Sequence, residues 1–290
     1  MNLGAKITVK NNGPHQLPKL LIFKAKLLQF LSPSLAANFA LKIFSTPIKH
    51  QRPEREEMMA KSAKQEELLI PQLNKKVILY SYGYSKRKVL IIPGWSGRGT
   101  QLFQMADKLL ENGFMVVSMD GPAHGNSTGK NTNLMEFIET TLHLQNVIGP
   151  FEAAIGHSFG ALTILNSIAR GLNLQKAVTI GSSNLISYFL EDLAEKLQLG
   201  PKVPEKMRLK INKKLGVDVD QLAGSEAAKK IEIPVFVVHD TQDKEVPVSC
   251  AMEIRQNLKK GQLLISNGLG HKRILNDPKI IKNILTFIKN

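Results

Sequence analysis

Short apolar runs alternate with amphipathic segments along most of the chain from about residue 66 onward. Five of these runs are typical of strands in a sheet that is buried on both faces. They span residues 89–92, 115–119, 153–155, 177–180 and 235–238, and residues 263–265 predict a last strand. Helical periodicity predicts helices over residues 100–112, 133–147, 159–170, 246–258 and 277–288. The alternation predicts an open, mostly parallel α/β sheet with helices on both faces.

Two segments depart from this alternation. Residues 67–70 and 76–82, separated by Pro71-Gln72-Leu73-Asn74, predict an antiparallel hairpin. Later, more than fifty residues separate the apolar runs that end at residue 180 and begin at residue 235, and they have helical periodicity. An insertion of this length after a strand's carboxyl end predicts a helical lid, at about residues 183–230, over a functional site. Ordinary packing of surface helices is the alternative.

Positive charge is concentrated at the start of the chain, which has 290 residues and a formal net charge of +15. Residues 1–53 hold eight Lys and Arg residues and no Asp or Glu. Such a segment predicts either a solvated helical surface element or a weak contact with an anionic membrane. No zinc-finger spacing or aromatic-interleaved basic motif accompanies it, so we do not expect nucleic-acid binding.

The sequence gives no sign of a membrane span, a secretion signal or a cofactor site. Lys19, Lys24 and Lys26 interrupt the apolar stretch of residues 17–31, which argues against both a transmembrane helix and a signal peptide. The single cysteine, Cys250, excludes an internal disulfide and fits a reducing compartment. No metal-ligand spacing and no complete dinucleotide or phosphate loop is present. We therefore expect a cytoplasmic protein without a metal or cofactor.

A G-x-S-x-G pentapeptide, Gly156-His157-Ser158-Phe159-Gly160, lies between the predicted strand at 153–155 and a predicted helix. A serine at a sharp strand-to-helix turn exposes its hydroxyl, and the N–H groups that follow it remain free to bind an oxyanion. Glycines are needed on both sides because side chains there would collide with the neighbouring strand and helix. Ser158 is therefore a candidate nucleophile.

A serine nucleophile needs a histidine base and a carboxylate that orients the histidine. Asp240 and Asp243 follow the predicted strand at 235–238, and His271 follows the last predicted strand. Because the carboxyl ends of parallel strands meet at one edge of a sheet, these groups can converge with Ser158 there. The spacing alone leaves both Asp240 and Asp243 open as the acid.

From about residue 66 to the C-terminus these motifs resemble those of the α/β-hydrolases. The loop at 239–247 resembles the family's H-G-x-x-D-x-x-V-P, with Asp240 in place of the glycine. Residues 120–127 resemble D-x-x-G-H-G-x-S, and His271 stands in a G-H turn ahead of the last helix. The resemblance implies a three-layer α/β-hydrolase fold, with a mostly parallel sheet of about eight strands, flanking helices and a helical lid.

The resemblance also implies roles for individual residues. Ser158 becomes the nucleophile, His271 the general base and Asp243, at the family's aspartate position, the acid. The oxyanion hole is then formed by the N–H groups of Phe159 and of Trp95, whose ring either walls the acyl pocket or packs. The implied function is a serine hydrolase that cleaves an ester-like bond of a small acyl substrate through an acyl-enzyme. Acyltransferase or perhydrolase activity and a non-catalytic binding protein are the alternatives.

Residues 1–65 lie outside these motifs and are similar to the helical N-terminal extensions of some bacterial members of the family. The predicted organisation is therefore a basic helical extension over residues 1–65 and an α/β-hydrolase domain over residues 66–290. The apolar helices of the predicted lid favour an apolar acyl group. His157 and His239 are predicted to be packing residues at strand ends.

Overall fold

The computed structural model of the chain describes residues 17–290. Its strands are β1 (Lys64–Ile70), β2 (Lys75–Tyr82), β3 (Lys88–Ile92), β4 (Met115–Asp120), β5 (Ala153–His157), β6 (Lys176–Ile180), β7 (Val235–Asp240) and β8 (Gly261–Ser266). They form one sheet in the order β1-β2-β4-β3-β5-β6-β7-β8. Strand β2 pairs antiparallel with both neighbours, and the pairs from β4 to β8 are parallel. The predicted mostly parallel α/β sheet is confirmed.

The helices occupy the connections between strands and the two ends of the described chain. They are α1 (Lys19–Leu31), α2 (Pro33–Phe44), α3 (Glu57–Ser62), α4 (Phe103–Glu111), α5 (Leu134–Ile148), α6 (Phe159–Ile168), α7 (Ile186–Lys196), α8 (Lys202–Leu215), α9 (Gly224–Ala228), α10 (Val248–Asn257), α11 (Gly270–Arg273) and α12 (Pro278–Lys289). Asn133 and Asp277 cap α5 and α12, because their side chains accept hydrogen bonds from the first free N–H groups.

Helices cover both faces of the sheet. In β3, Val89 and Ile91 face a hydrophobic cluster that contains side chains of α4 and α12. Leu90 and Ile92 alternate with them and face a second cluster, to which α5, α6 and α10 contribute. This alternation follows from the pleat of a strand that is buried on both sides. The result is a three-layer architecture.

The ends of some elements differ from the sequence prediction. Strand β1 begins at Lys64, so the hairpin starts before the predicted boundary at residue 66. Its connection contains a short 3-10 turn, Pro71–Leu73, which ends at Asn74 in a left-handed conformation. Helix α4 begins only at Phe103, after the loop that follows β3. Lys64 is exposed, whereas Thr100 and Leu102 before α4 are buried in the loop, so hydrophobic periodicity does not mark either limit.

The N-terminal helices and the helices inserted between β6 and β7 pack against each other. Helices α1, α2, α7 and α8 share one hydrophobic cluster, and we refer to these four helices as the helical cap. Its buried side chains are mostly small on the N-terminal side and larger on the inserted side: Ala25, Ala36, Ala37, Ala40, Leu190, Leu197, Val203 and Met207. The alanines allow the helices to approach closely. The extension and the insertion therefore bury their apolar faces together.

Candidate active site

Ser158 lies at the turn between β5 and α6. Its backbone has φ 53° and ψ −117°, a conformation that a residue with a side chain rarely adopts. The Ser158 N–H donates to the carbonyl of Ile180 at 2.8 Å, which ties the turn to the end of β6. The turn therefore holds Ser158 at the carboxyl edge of the sheet, where its side chain is only partly buried.

The two glycines that flank Ser158 are required by close contacts. A Cβ added to Gly160 would overlap the carbonyl oxygens of Ile92 and Pro93. A Cβ added to Gly156 would overlap the backbone of Ala161 in α6. The turn can therefore be this tight only with glycine at both positions.

His271 and Asp243 are joined by a short hydrogen bond. His271 Nδ1 donates to Asp243 Oδ2 at 2.6 Å, which leaves Nε2 available to exchange a proton. Asp243 Oδ1 accepts the backbone N–H groups of Glu245 and Val246, each at 2.8 Å. Burial alone would raise the pKa of Asp243, but the bond from His271 and these two N–H groups hold that pKa below its usual value. Asp243 is thus an ionised acceptor that orients the imidazole.

His271 lies next to the turn that carries Ser158. The His157 ring, one residue before Ser158, lies 4.6 Å from the His271 ring and donates from Nε2 to the His271 carbonyl at 3.0 Å. A Cβ added to Gly181, at the end of β6, would lie 3.2 Å from His271 Nδ1. Within residues 17–290 the structure has no hydrogen bond between Ser158 Oγ and His271 Nε2. Such bonds often tighten only once substrate is bound.

Asp240 has different partners, and all of them are hydrogen-bond donors. Its carboxylate accepts from the Ser266 hydroxyl at 2.7 Å and from the N–H groups of Gln242, Leu269 and Gly270 at 2.9–3.1 Å. These bonds join the end of β7 to the loop that carries His271. Asp240 thus fixes the path of that loop, while Asp243 contacts the imidazole itself.

Trp95 lies in the loop after β3, and Phe159 directly follows Ser158. The loop after β3 passes close to the nucleophile, since a Cβ added to Gly94 would lie 3.2 Å from Ser158 Cβ. Phe159 follows Ser158 at the first position of α6, where backbone N–H groups have no partner within the helix. Both residues thus lie in backbone segments that pass close to Ser158, and the use of their N–H groups as an oxyanion hole stays a prediction.

Four aromatic rings pack edge to face beneath this loop. Trp95 lies 5.1 Å from both His124 and Phe159, and Phe137 lies 5.0–5.1 Å from the same two rings. The rings form a closed cycle, so the Trp95 indole packs against two other aromatic rings. The cycle fixes the loop after β3 relative to the start of α6.

His124 supports the same loop through a neutral imidazole. Its Nδ1 donates to the carbonyl of Pro122 at 3.0 Å, and its Nε2 accepts the N–H of Ser96 at 2.9 Å. Burial lowers the pKa of His124 to about 4, so Nε2 remains an acceptor at neutral pH. Asp120, which is fully buried, accepts the N–H of Gly99 at 2.7 Å at the other end of the loop. The sequence places both residues in the loop that resembles D-x-x-G-H-G-x-S, but it does not predict their hydrogen bonds to the loop after β3.

Comparison with known proteins gives the fold. The model of one family, described as TAP-like protein, matches residues 217–290. Among curated proteins no sequence matches the chain. A lipase from Acinetobacter baumannii AYE is similar in structure, with a TM-score of 0.62 and 17% identity over 81% of this chain and 94% of that one. The chain has the α/β-hydrolase fold.

Two further solved structures agree with this result. An esterase from Exiguobacterium antarcticum has a TM-score of 0.62 at 13% identity and covers 78% of this chain and 100% of its own. A membrane phospholipase A, described as a bacterial virulence factor, has a TM-score of 0.62 at 15% identity and covers 93% of this chain and 97% of its own. The candidate residues thus lie at the carboxyl edge of an α/β-hydrolase sheet.

The N-terminal segment reaches the site of the α/β-hydrolase fold directly. The N–H of Ile48 donates to Ser96 Oγ at 2.9 Å, next to Trp95. Glu56, buried to 1% exposure, forms a two-pronged ion pair with Arg98 at 2.5 and 2.6 Å and accepts the hydroxyl of Thr100 at 2.7 Å. Both contacts end on the loop after β3. No local motif marks them in the sequence, because each partner is more than forty residues away.

A second carboxylate lies near Nε2 of His271. Glu245 Oε2 is 3.8 Å from His271 Nε2, and Glu245 Oε1 is 3.4 Å from Lys272 Nζ. The Glu245 side chain is half exposed and lies before α10 rather than in its first turn. His239, by contrast, is fully buried and donates from Nε2 to the Val246 carbonyl at 3.0 Å, so it packs behind the acid loop.

Proposed function

We propose that this protein is a serine hydrolase that cleaves an ester-like bond through an acyl-enzyme. In the proposed reaction Ser158 attacks the acyl carbonyl while His271 Nε2 takes the hydroxyl proton. The Trp95 and Phe159 N–H groups stabilise the negative charge on the carbonyl oxygen of the tetrahedral intermediate. The protonated imidazole then gives its proton to the leaving alcohol, and the acyl group remains on Ser158.

The second half of the reaction repeats the same proton transfers with water. His271 takes a proton from water, the resulting hydroxide attacks the acyl carbonyl, and the proton passes to Ser158 Oγ as the acid leaves. Asp243 keeps the imidazole in the tautomer with the proton on Nδ1 and stabilises its charged form. The 2.6 Å bond between His271 Nδ1 and Asp243 Oδ2 is the observation that carries the proposal.

The surroundings of Ser158 favour an apolar acyl group. Phe159 belongs to a cluster with buried Leu162 of α6 and with Ile186 and Leu215 of the inserted helices. These side chains form an apolar wall directly after the nucleophile, between α6 and the predicted lid. The names of structurally similar proteins, which include lipases and esterases, are compatible with such a substrate.

A fluorophosphonate probe tests the catalytic assignment, because it reacts covalently with an activated serine. We expect the wild-type chain to be labelled and Ser158→Ala to remain unlabelled. Ser85→Ala is a matched control, because Ser85 lies in the turn after β2, at the opposite edge of the sheet. Absence of wild-type labelling, or equal labelling of Ser158→Ala, would contradict the proposal.

A series of p-nitrophenyl esters tests the substrate class. We expect kcat/KM to rise with acyl chain length until the apolar wall is filled, and then to level off. The variant Leu215→Asp should reduce turnover of long-chain esters more than turnover of the acetate ester, since it places a charge on that wall. An equal loss for all esters would show that the wall does not bind the acyl group.

A further inference from the structure

Helix α1 exposes an apolar ridge on the side that does not pack against the other three helices of the helical cap. Five side chains form this ridge, each at least half exposed: Leu20, Phe23, Leu27, Phe30 and Leu31. Phe30 is 89% exposed. The opposite side of α1, with Ala25, Leu21 and Leu28, packs in the cap cluster. The helix thus has one apolar side that is buried in the protein and another that is open to solvent.

Basic residues border the α1 ridge on both sides. At the 100° per residue of an α-helix, the ridge spans about 100° of the helix surface. Lys24 follows one margin, and Lys19 and Lys26 follow the other. The charge is unbalanced, because residues 1–53 contain no Asp or Glu. An apolar strip with lysines on its margins is the pattern of a helix that lies in the surface of an anionic bilayer.

The α1 ridge is held in place by the rest of the fold. Lys26 Nζ donates to Gln198 Oε1 at 2.9 Å, and the N–H of Gly200 donates to Gln29 Oε1 at 2.6 Å. Both partners belong to the connection between α7 and α8. Because α1 is fixed to the inserted helices, a surface that binds α1 also lies beside the insertion that precedes β7.

We propose that the α1 ridge docks this protein on an anionic lipid surface. The phenylalanine and leucine side chains enter the boundary between headgroups and acyl chains, and the lysines contact the anionic headgroups. The contact is peripheral: α1 has 13 residues, too few for a span, and no helix of the described chain is long and apolar enough to cross a membrane. This inference concerns binding alone and does not depend on catalysis at Ser158.

Flotation of the full chain with vesicles tests the proposal. We expect co-flotation with vesicles of phosphatidylcholine and phosphatidylglycerol at low salt, and little with phosphatidylcholine alone. Phe23→Glu/Phe30→Glu should weaken binding at least tenfold, since it removes two exposed aromatic rings that the bilayer would bury. Tyr84→Glu/Val147→Glu adds the same two charges at exposed positions near the amino edge of the parallel strands and should leave binding within twofold. Both doubles should retain the wild-type circular dichroism spectrum.

Variants of the lysines test the electrostatic part of the proposal separately. Lys19→Gln/Lys24→Gln should weaken binding to anionic vesicles by about 30-fold and reduce its salt dependence, and it leaves the Lys26 contact with Gln198 in place. Ser158→Ala should float like the wild type, so failure of the lipid proposal is distinguishable from failure of the catalytic one.

Three results would overturn the proposal. The first is equal flotation of wild type and Phe23→Glu/Phe30→Glu. The second is a wild-type dimer in solution that this double variant converts to a monomer, which would mean that a second copy covers the ridge. The third is flotation that appears only after deletion of residues 1–16, which would mean that the chain's own first residues occupy it.

Discussion

The carboxyl edge of the sheet and the helical cap differ in how the sequence determines their structure. At the sheet edge, Ser158, Asp243 and His271 each lie in the loop or turn just past the carboxyl end of a strand, and the parallel order of these strands brings those loops to one edge. In the cap, α1 and α2 pack against α7 and α8, which lie about 150 residues later in the chain. The first arrangement follows from short motifs and topology. The second depends on matched apolar surfaces between distant segments.

The difference shows where sequence reasoning works. A strand end is a local feature, so the order of Ser158, Asp243 and His271 can be read once the strands are recognised. The join between extension and insertion has no local feature, because alanines such as Ala36 and Ala37 fit many environments. The N-terminal segment therefore looked separate in the sequence, although in the fold it contacts both the cap and the loop after β3.

The largest expected effect distinguishes the two aspartates at the sheet edge. Asp243→Asn should lower kcat by about 10⁴, because the amide no longer holds the imidazole with its proton on Nδ1. The Asp240 carboxylate accepts four hydrogen bonds, two at each oxygen, and Asp240→Asn replaces one of these oxygens by an NH2 group that cannot accept. We therefore expect a loss of about 1–3 kcal/mol in unfolding free energy and a smaller loss of activity. Steady-state kinetics and urea unfolding measure the two effects. A larger kcat loss for Asp240→Asn would reverse the assignment.

We also expect the sheet edge to depend on the N-terminal segment through the ion pair of Glu56 with Arg98. Glu56→Gln leaves Arg98, whose side chain is 13% exposed, without its charged partner and should lower the free energy of unfolding by about 2–4 kcal/mol. Because Arg98 belongs to the loop that carries Trp95, labelling of Ser158 should also slow. Glu57→Gln is the matched control, since its ion pair with Lys61 is exposed and contributes at most about 1 kcal/mol. Equal stability of the two variants would mean that the N-terminal segment does not stabilise the loop after β3.

The features of the site that the sequence predicts are local, and those that it does not predict join distant segments. The parallel sheet, its helices and the candidate triad come from hydrophobic periodicity and from motifs at strand ends. The His124 contact with Ser96 joins two loops through one side-chain nitrogen, and nothing in either loop specifies that pairing. The Glu56 contact with Arg98 spans forty-two residues between segments without strand periodicity. Such contacts are fixed only when the whole core has packed.

The sheet edge and the cap cluster also differ in the groups that can titrate. The sheet edge buries histidines, whereas the cap cluster buries Ala, Leu, Val and Met. The pKa of His124 is lowered from 6.5 to about 4 in the fold, so the unfolded chain binds more protons between these values. Its contribution to stability is therefore complete above about pH 6.5 and is lost as the pH falls toward 4, by about 3 kcal/mol. His157, whose pKa burial lowers to about 3, acts in the same direction.

Urea unfolding at pH 7 and pH 4 checks this difference. His124→Asn keeps a donor for the Pro122 carbonyl but removes the titrating ring, so its loss of stability between the two pH values should be about 3 kcal/mol smaller than that of the wild type. Ala37→Leu overfills the cap cluster and should cost about 1–3 kcal/mol, by the same amount at both pH values. If both variants retain the wild-type pH dependence, burial of neutral His124 is not what makes the sheet edge sensitive to acid.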